Sequence, residues 1–143
     1  MRDVNGFSAL VYGERARVVL VIDGNTLDLE MDLGSGCTLR RHCRLDGVVA
    51  PELDDPDREE RRVARLAKDF VEVLVLGREV AVRFPQATPD ERGRWPAVVF
   101  WQDAAGTWSR LNEDLVENGL AAAVYPGQEA SARGDVDVRE AVA

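Results

Sequence analysis

The stretch ARVVLVIDGNTLDLEMDLGSGCTLRRHCRL, residues 16–45, decides the fold. Ala16, Val18, Leu20 and Ile22 fall on one side of an extended chain, with Arg17, Val19 and Val21 on the other, which is strand period. Asp23-Gly24-Asn25 then reads as a turn in which Gly24 supplies backbone freedom. Leu27, Leu29 and Met31 alternate with Asp28, Glu30 and Asp32, the pattern of a half-buried strand with an acidic outer face. Gly34-Ser35-Gly36 is a second turn. After it, Cys37, Leu39, Arg41, Cys43 and Leu45 alternate with Thr38, Arg40, His42 and Arg44. Three strands joined by short turns predict a meander.

Outward from the meander, Asp54-Asp55-Pro56 reads as a helix start with Asp55 as N-cap and Pro56 at the first helical position. Val63, Leu66, Ala67, Phe70, Val71 and Leu74 have helical spacing, so a long amphipathic helix is expected to run to about Gly77. Ion pairs Asp57–Arg61 and Arg65–Asp69 are expected on its polar face. Val80, Val82 and Phe84 suggest a fourth strand, Gln86 to Arg94 a polar loop, and Ala97 to Trp101 a fifth strand. Leu111, Leu115 and Val116 mark a short second helix that Gly119 terminates. The expected class is mainly β (α+β): a five-stranded barrel of the oligonucleotide/oligosaccharide-binding (OB) type. A long helix separates strands three and four, and a short one follows strand five. Residues 1–14 read as a lead-in, 15–125 as the domain, and 126–143, poor in large apolar residues, as a flexible arm.

The composition suits one folded domain of 143 residues, with 45% hydrophobic and 31% charged side chains. No apolar run resembles a signal peptide or a membrane span, so a cytoplasmic location, or a particle assembled in the cytosol, is expected without membrane contact. A net charge of −8, with Lys68 the only lysine, disfavours tight nucleic-acid binding. One local arginine pocket could still take a phosphate. Cys37 and Cys43 lie six residues apart on one strand, roughly 20 Å when extended, beyond disulfide reach. Both are expected to be free, buried thiols. His42, the only histidine, reads as an ordinary strand residue. Trp95, Trp101 and Trp108 flank the fifth strand, where core or partner packing is commoner than base stacking.

Four segments carry a resemblance. They are Ile22-Asp23-Gly24-Asn25-Thr26, the run from Arg44 through Asp46 and Val49 to Pro51-Glu52, Asp90-Glu91-Arg92-Gly93-Arg94, and Leu111-Asn112-Glu113-Asp114-Leu115-Val116 on to Gly119-Leu120-Ala121. In order and spacing the set resembles the staphylococcal-nuclease (thermonuclease-like) family, which carries D-G-D-T, R-L-x-G-I-D-x-P-E, Y-G-R and N-E-x-L-V-x-x-G-L-A at these places. The resemblance covers roughly residues 15–125. It implies two arginines that hold the scissile phosphate, a glutamate that assists the attacking water, and aspartates that bind calcium. Arg44 and Arg94 match the arginines, and Glu52 matches the glutamate. Asp23 is retained, but Asn25 and Val49 stand where the resemblance implies the two calcium-binding aspartates.

Calcium takes about 6–8 oxygen ligands. Asn25 offers a neutral oxygen and Val49 none, while Asp46, three residues away on an extended run, faces the other side. No metal or other cofactor is therefore expected unless the chain is an active nuclease, in which case it is calcium. The remaining Asp23 and Glu52 cancel Arg44 and Arg94 in formal charge, a balance that needs no ion. The leading expectation is a catalytically inactive barrel used as a binding or structural module in a larger assembly, such as a virus particle or mobile element. The alternative is a weak or metal-altered phosphodiesterase acting on DNA or RNA. The family usually ends in a third helix on the barrel, and the polar tail here suggests a protein partner or self-association instead.

Overall fold

A computed structural model describes residues 13–124. The expected lead-in and arm therefore lie almost wholly outside the described residues. Five long strands form the barrel: β1 (Glu14–Asp23), β2 (Thr26–Gly34), β3 (Cys37–Leu45), β5 (Glu79–Arg83) and β6 (Trp95–Gln102). Between β3 and β5 lie the short β4 (Val48–Val49) and the helix α1 (Arg58–Val75); after β6 come β7 (Trp108–Arg110), the helix α2 (Leu111–Glu117) and β8 (Ala122–Ala123). The sheet runs β3-β2-β1-β5-β6-β7, and a parallel β3–β6 pairing closes it into a mixed barrel. Closure removes the exposed edges that an open sheet would present. The three short strands were not expected; β4 and β8 pair with each other outside the main sheet.

Strict alternation fails in β1 for a definite reason. The β1–β2 register steps from Val18↔Leu29 to Leu20↔Asp28, so β1 gains a residue at Val19, a β-bulge. Beyond it the inward face changes parity. Val21 is buried while Leu20 is 43% exposed, opposite to the simple reading. Leu27, Leu29, Met31, Cys43 and Leu45 point inward as expected, joined by Val82, Ala97 and Val99. Cys37 does not follow Cys43 into the core: it lies at the β2–β3 hairpin end and is exposed. Cys43 is fully enclosed, and burial pushes its thiol up to about 12.

The long helix closes one end of the barrel through Val63, Ala64, Ala67, Val71 and Val75. Its N-cap is Asp57 rather than Asp55: the Asp57 carboxylate accepts the Glu60 N–H at 3.3 Å, while Asp55 accepts the Asp57 N–H at 2.8 Å. The two aspartates that flank Pro56 thus form an Asx turn and then a cap, moving the start two residues on. The Arg61 guanidinium donates to the carbonyls of Asp55 and Pro56 rather than to Asp57. Arg62 forks onto Glu59. The helix stops at Val75, and Gly77, with φ 77°, turns the chain so that its N–H reaches the Val18 carbonyl.

Gly24 is required by space, not by backbone freedom. It does not adopt the left-handed conformation; a Cβ there would lie 2.6 Å from the Ala67 Cβ and 3.1 Å from the Ala50 Cβ. The β1–β2 turn therefore rests directly on the helix.

Candidate functional site

Barrel closure assembles the site. The register Arg44↔Pro96 sets the end of β3 beside the start of β6, so Arg44 and Arg94 become neighbours across fifty residues of chain. The β1–β2 turn is tied to the same place, because the Leu45 N–H donates to the Asn25 carbonyl at 2.8 Å. Asp23, Asn25, Arg44, Val49, Glu52 and Arg94, the residues expected from the sequence, all line one cleft of about 490 Å³. Thr26, Ala50, Asp90, Glu91 and Arg92 complete its wall.

The carboxylate that organises this cleft is Asp90. Its Oδ2 faces Arg94 Nε at 3.2 Å and Arg44 Nε at 3.8 Å. Its Oδ1 accepts the backbone N–H groups of Arg92 and Arg94, each at 2.9 Å. Gly93, with φ 79°, makes the tight turn that brings those N–H groups round. Partial burial pushes the Asp90 carboxyl up, but the two N–H donors and the Arg94 guanidinium outweigh it and hold it below the usual carboxylate range. Asp90 thus binds two guanidiniums through their Nε edges and is itself anchored to the loop backbone. Pro89-Asp90 followed by Gly93 was the available sequence signal: an aspartate opening a glycine turn beside an arginine.

At the calcium-associated positions the contacts are local. The Asn25 amide Nδ2 donates to the Val48 carbonyl at 3.2 Å, and Asp23 Oδ1 accepts the Asn25 backbone N–H at 3.0 Å. Val49 contributes no side-chain donor or acceptor. Among the described residues, no group of three or more His, Cys, Asp or Glu is placed to hold a metal ion.

The outer face of β2 and β3 runs away from the cleft. Asp28 accepts a fork from Arg40 at 3.1 and 2.9 Å and lies 2.7 Å from His42 Nδ1. Burial pushes the Asp28 carboxyl up, but the His42 and Arg40 hydrogen bonds and charges prevail and lower it. Arg40 and His42 on that strand face are therefore already engaged by Asp28, as Arg44 at its cleft end is by Asp90. The tryptophans are engaged too. Arg41 stacks 3.8 Å over Trp95 and 4.7 Å over Phe84, and Trp101 Nε1 donates to Asp114 at 2.7 Å. Trp108 packs on a second cluster of Ala81, Val98 and Phe100. No helix among the described residues is long and apolar enough to cross a membrane.

A mixed five-stranded barrel with an arginine-lined cleft between the β1–β2 turn, the end of β3 and the loop before β6 defines an OB-type domain of the nuclease-like class. Residues 42–141 match the family described as staphylococcal nuclease homologue, and the chain belongs to that family. No curated protein matches the chain significantly.

Proposed function

We propose that this chain is a staphylococcal-nuclease-family barrel that does not cleave phosphodiesters and serves as a binding or structural module in a larger assembly, such as a virus particle or mobile element. The observation that carries this reading is the Asn25–Val48 hydrogen bond. It joins the β1–β2 turn to β4, the two segments whose aspartates the family resemblance assigns to calcium, with a neutral amide and a neutral carbonyl. Calcium needs several anionic oxygens to offset its dehydration. Val49 supplies none, and the Asn25 amide is turned to a backbone carbonyl. The residues present therefore do not fit calcium.

The arginine half of the cleft supports a binding role. Arg44 and Arg94 are held by their Nε edges, a geometry that leaves the Nη groups to serve an anion such as a phosphate. The alternative, a weak phosphodiesterase, draws support from Arg44, Arg94 and Glu52 sharing one cleft.

A cleavage assay on single-stranded DNA and RNA with calcium, magnesium or manganese separates the two. The wild type is expected to be inert with every ion, and calcium is expected to leave its melting temperature unchanged. The double variant Asn25→Asp, Val49→Asp is expected to gain calcium-dependent cleavage. Wild-type cleavage abolished by Arg94→Ala would establish the phosphodiesterase instead.

A further inference from the structure

The outward face of α1 carries two kinds of surface in sequence. Its N-terminal half presents Arg58, Arg62 and Arg65, all exposed. Its C-terminal half presents Asp69, with Glu72 half-buried beside it. Leu66 is 44% exposed, Val73 73% and Leu76 41%. On a period of 3.6 residues these side chains share one stripe of the helix, which Leu76 extends at the C-cap. The buried residues Val63, Ala64, Ala67, Val71 and Val75 occupy the opposite side. A helix in a folded domain normally exposes polar residues, so three large apolar groups on one solvent stripe mark a candidate docking surface.

The charges state which cover fits. The stripe is basic at one end and acidic at the other, so it is complementary to its own reverse. We propose that α1 pairs antiparallel with α1 of a second copy of this chain, about a two-fold axis level with Lys68. On a rise of about 1.5 Å per residue, that axis sets Arg65 within roughly 3 Å axially of Asp69 and Glu72 of the other copy. Val73 then lies level with the stem of Arg62, and Leu76 with that of Arg58, so that the aliphatic stems cover the apolar groups. The two Leu66 side chains meet near the axis. Each contact occurs twice, as an isologous interface requires. A single helix face is small for a dimer interface, so the association is weak, in the micromolar range or above. This pairing is independent of the cleft and of any reading of its chemistry.

Sedimentation velocity on the full chain tests it, at concentrations up to about 200 µM and at low and high salt. The expected result is a monomer–dimer equilibrium that weakens with salt. Val73→Asp is expected to raise the dissociation constant by about tenfold or more. Arg65→Glu is expected to weaken the dimer likewise, and adding Glu72→Arg to the same chain to restore it. Arg65 and Val73 are exposed and Glu72 is half-buried, and circular dichroism melts check that each variant folds. A wild type that stays monomeric throughout overturns the proposal, and that is also the outcome if a different protein or a lipid surface covers the stripe. A dimer indifferent to both Val73→Asp and Arg65→Glu overturns it equally.

Discussion

Asp90 grips Arg94 twice: Oδ1 accepts the arginine's backbone N–H at 2.9 Å and Oδ2 faces its side-chain Nε at 3.2 Å. The same Oδ2 lies 3.8 Å from Arg44 Nε, so one carboxylate offsets the repulsion between two neighbouring guanidiniums. Asp90→Asn keeps an oxygen for the loop N–H groups, but it removes the charge and replaces the acceptor that faces the two guanidiniums with an NH2 donor. The variant is expected to lose about 1–2 kcal/mol at neutral pH, the scale of a charge-assisted hydrogen bond. The pH dependence follows from the depressed Asp90 pKa. A carboxyl that titrates lower in the folded state contributes stability above its unfolded pKa, near 4, and loses it as pH falls through the folded value. Urea unfolding of wild type and variant should therefore converge below about pH 4. A constant difference between them across the acid range would assign the stability to something other than this charge.

Gly24 and Ala67 make the closest approach of the β1–β2 turn to α1, where an added Cβ would stand 2.6 Å from the alanine methyl. Gly24→Ala is expected to cost about 1–3 kcal/mol through overpacking. Ala67→Gly alone weakens the helix by about 1 kcal/mol. Combined, the two are expected to cost less than their sum, because the second removes the atom that the first strikes. Strict additivity in urea melts would mean that the turn moves away from the helix without resistance.

The meander, the long helix and the residues around the cleft were legible because they rest on local signals: period-two alternation, helical spacing and short motifs. What was not legible depended on a partner distant in the chain. The bulge at Val19 exists only relative to β2, and it exchanged the roles of Leu20 and Val21. Gly24 looked like a turn glycine, but the atoms that demand it belong to Ala50 and Ala67. Arg44 and Arg94 could be matched to a family pattern one by one. That a single aspartate holds both emerged only from the parallel β3–β6 pairing that closes the barrel. Burial of Cys43 followed from its strand phase, whereas exposure of Cys37 followed from where the strand outruns the barrel.

That last contrast predicts two thiols of very different reactivity. The exposed Cys37 is expected to react at once with a thiol reagent at neutral pH. Cys43 is enclosed, and its pKa of about 12 leaves almost no thiolate. Labelling followed by mass spectrometry should find one modification in the native protein and a second only when denaturant opens the barrel. Rapid double labelling under native conditions would show that β3 opens locally near its β6 partner.

Asn112 is the buried polar residue on which the C-terminal half of the barrel turns. Its Oδ1 accepts the Val99 N–H at 3.1 Å, and its Nδ2 donates to the carbonyls of Asp46 at 2.8 Å and Ala97 at 3.1 Å. One side chain thus joins α2 to β6 and to the loop between β3 and β4, which leads into the cleft. Asn112→Ala would leave a backbone N–H and two carbonyls without their side-chain partner, at about 1–3 kcal/mol for each group that stays buried and unpaired. A loss of about 3 kcal/mol or more is expected, with the urea slope unchanged. Asn112→Asp is the sharper test. It keeps the acceptor for Val99, but places a carboxylate oxygen against two carbonyl oxygens. Because the unfolded state solvates that charge freely, this variant is expected to regain stability as pH falls and the carboxyl takes up a proton that it can donate. Asn112→Ala offers no such group and should show no comparable recovery.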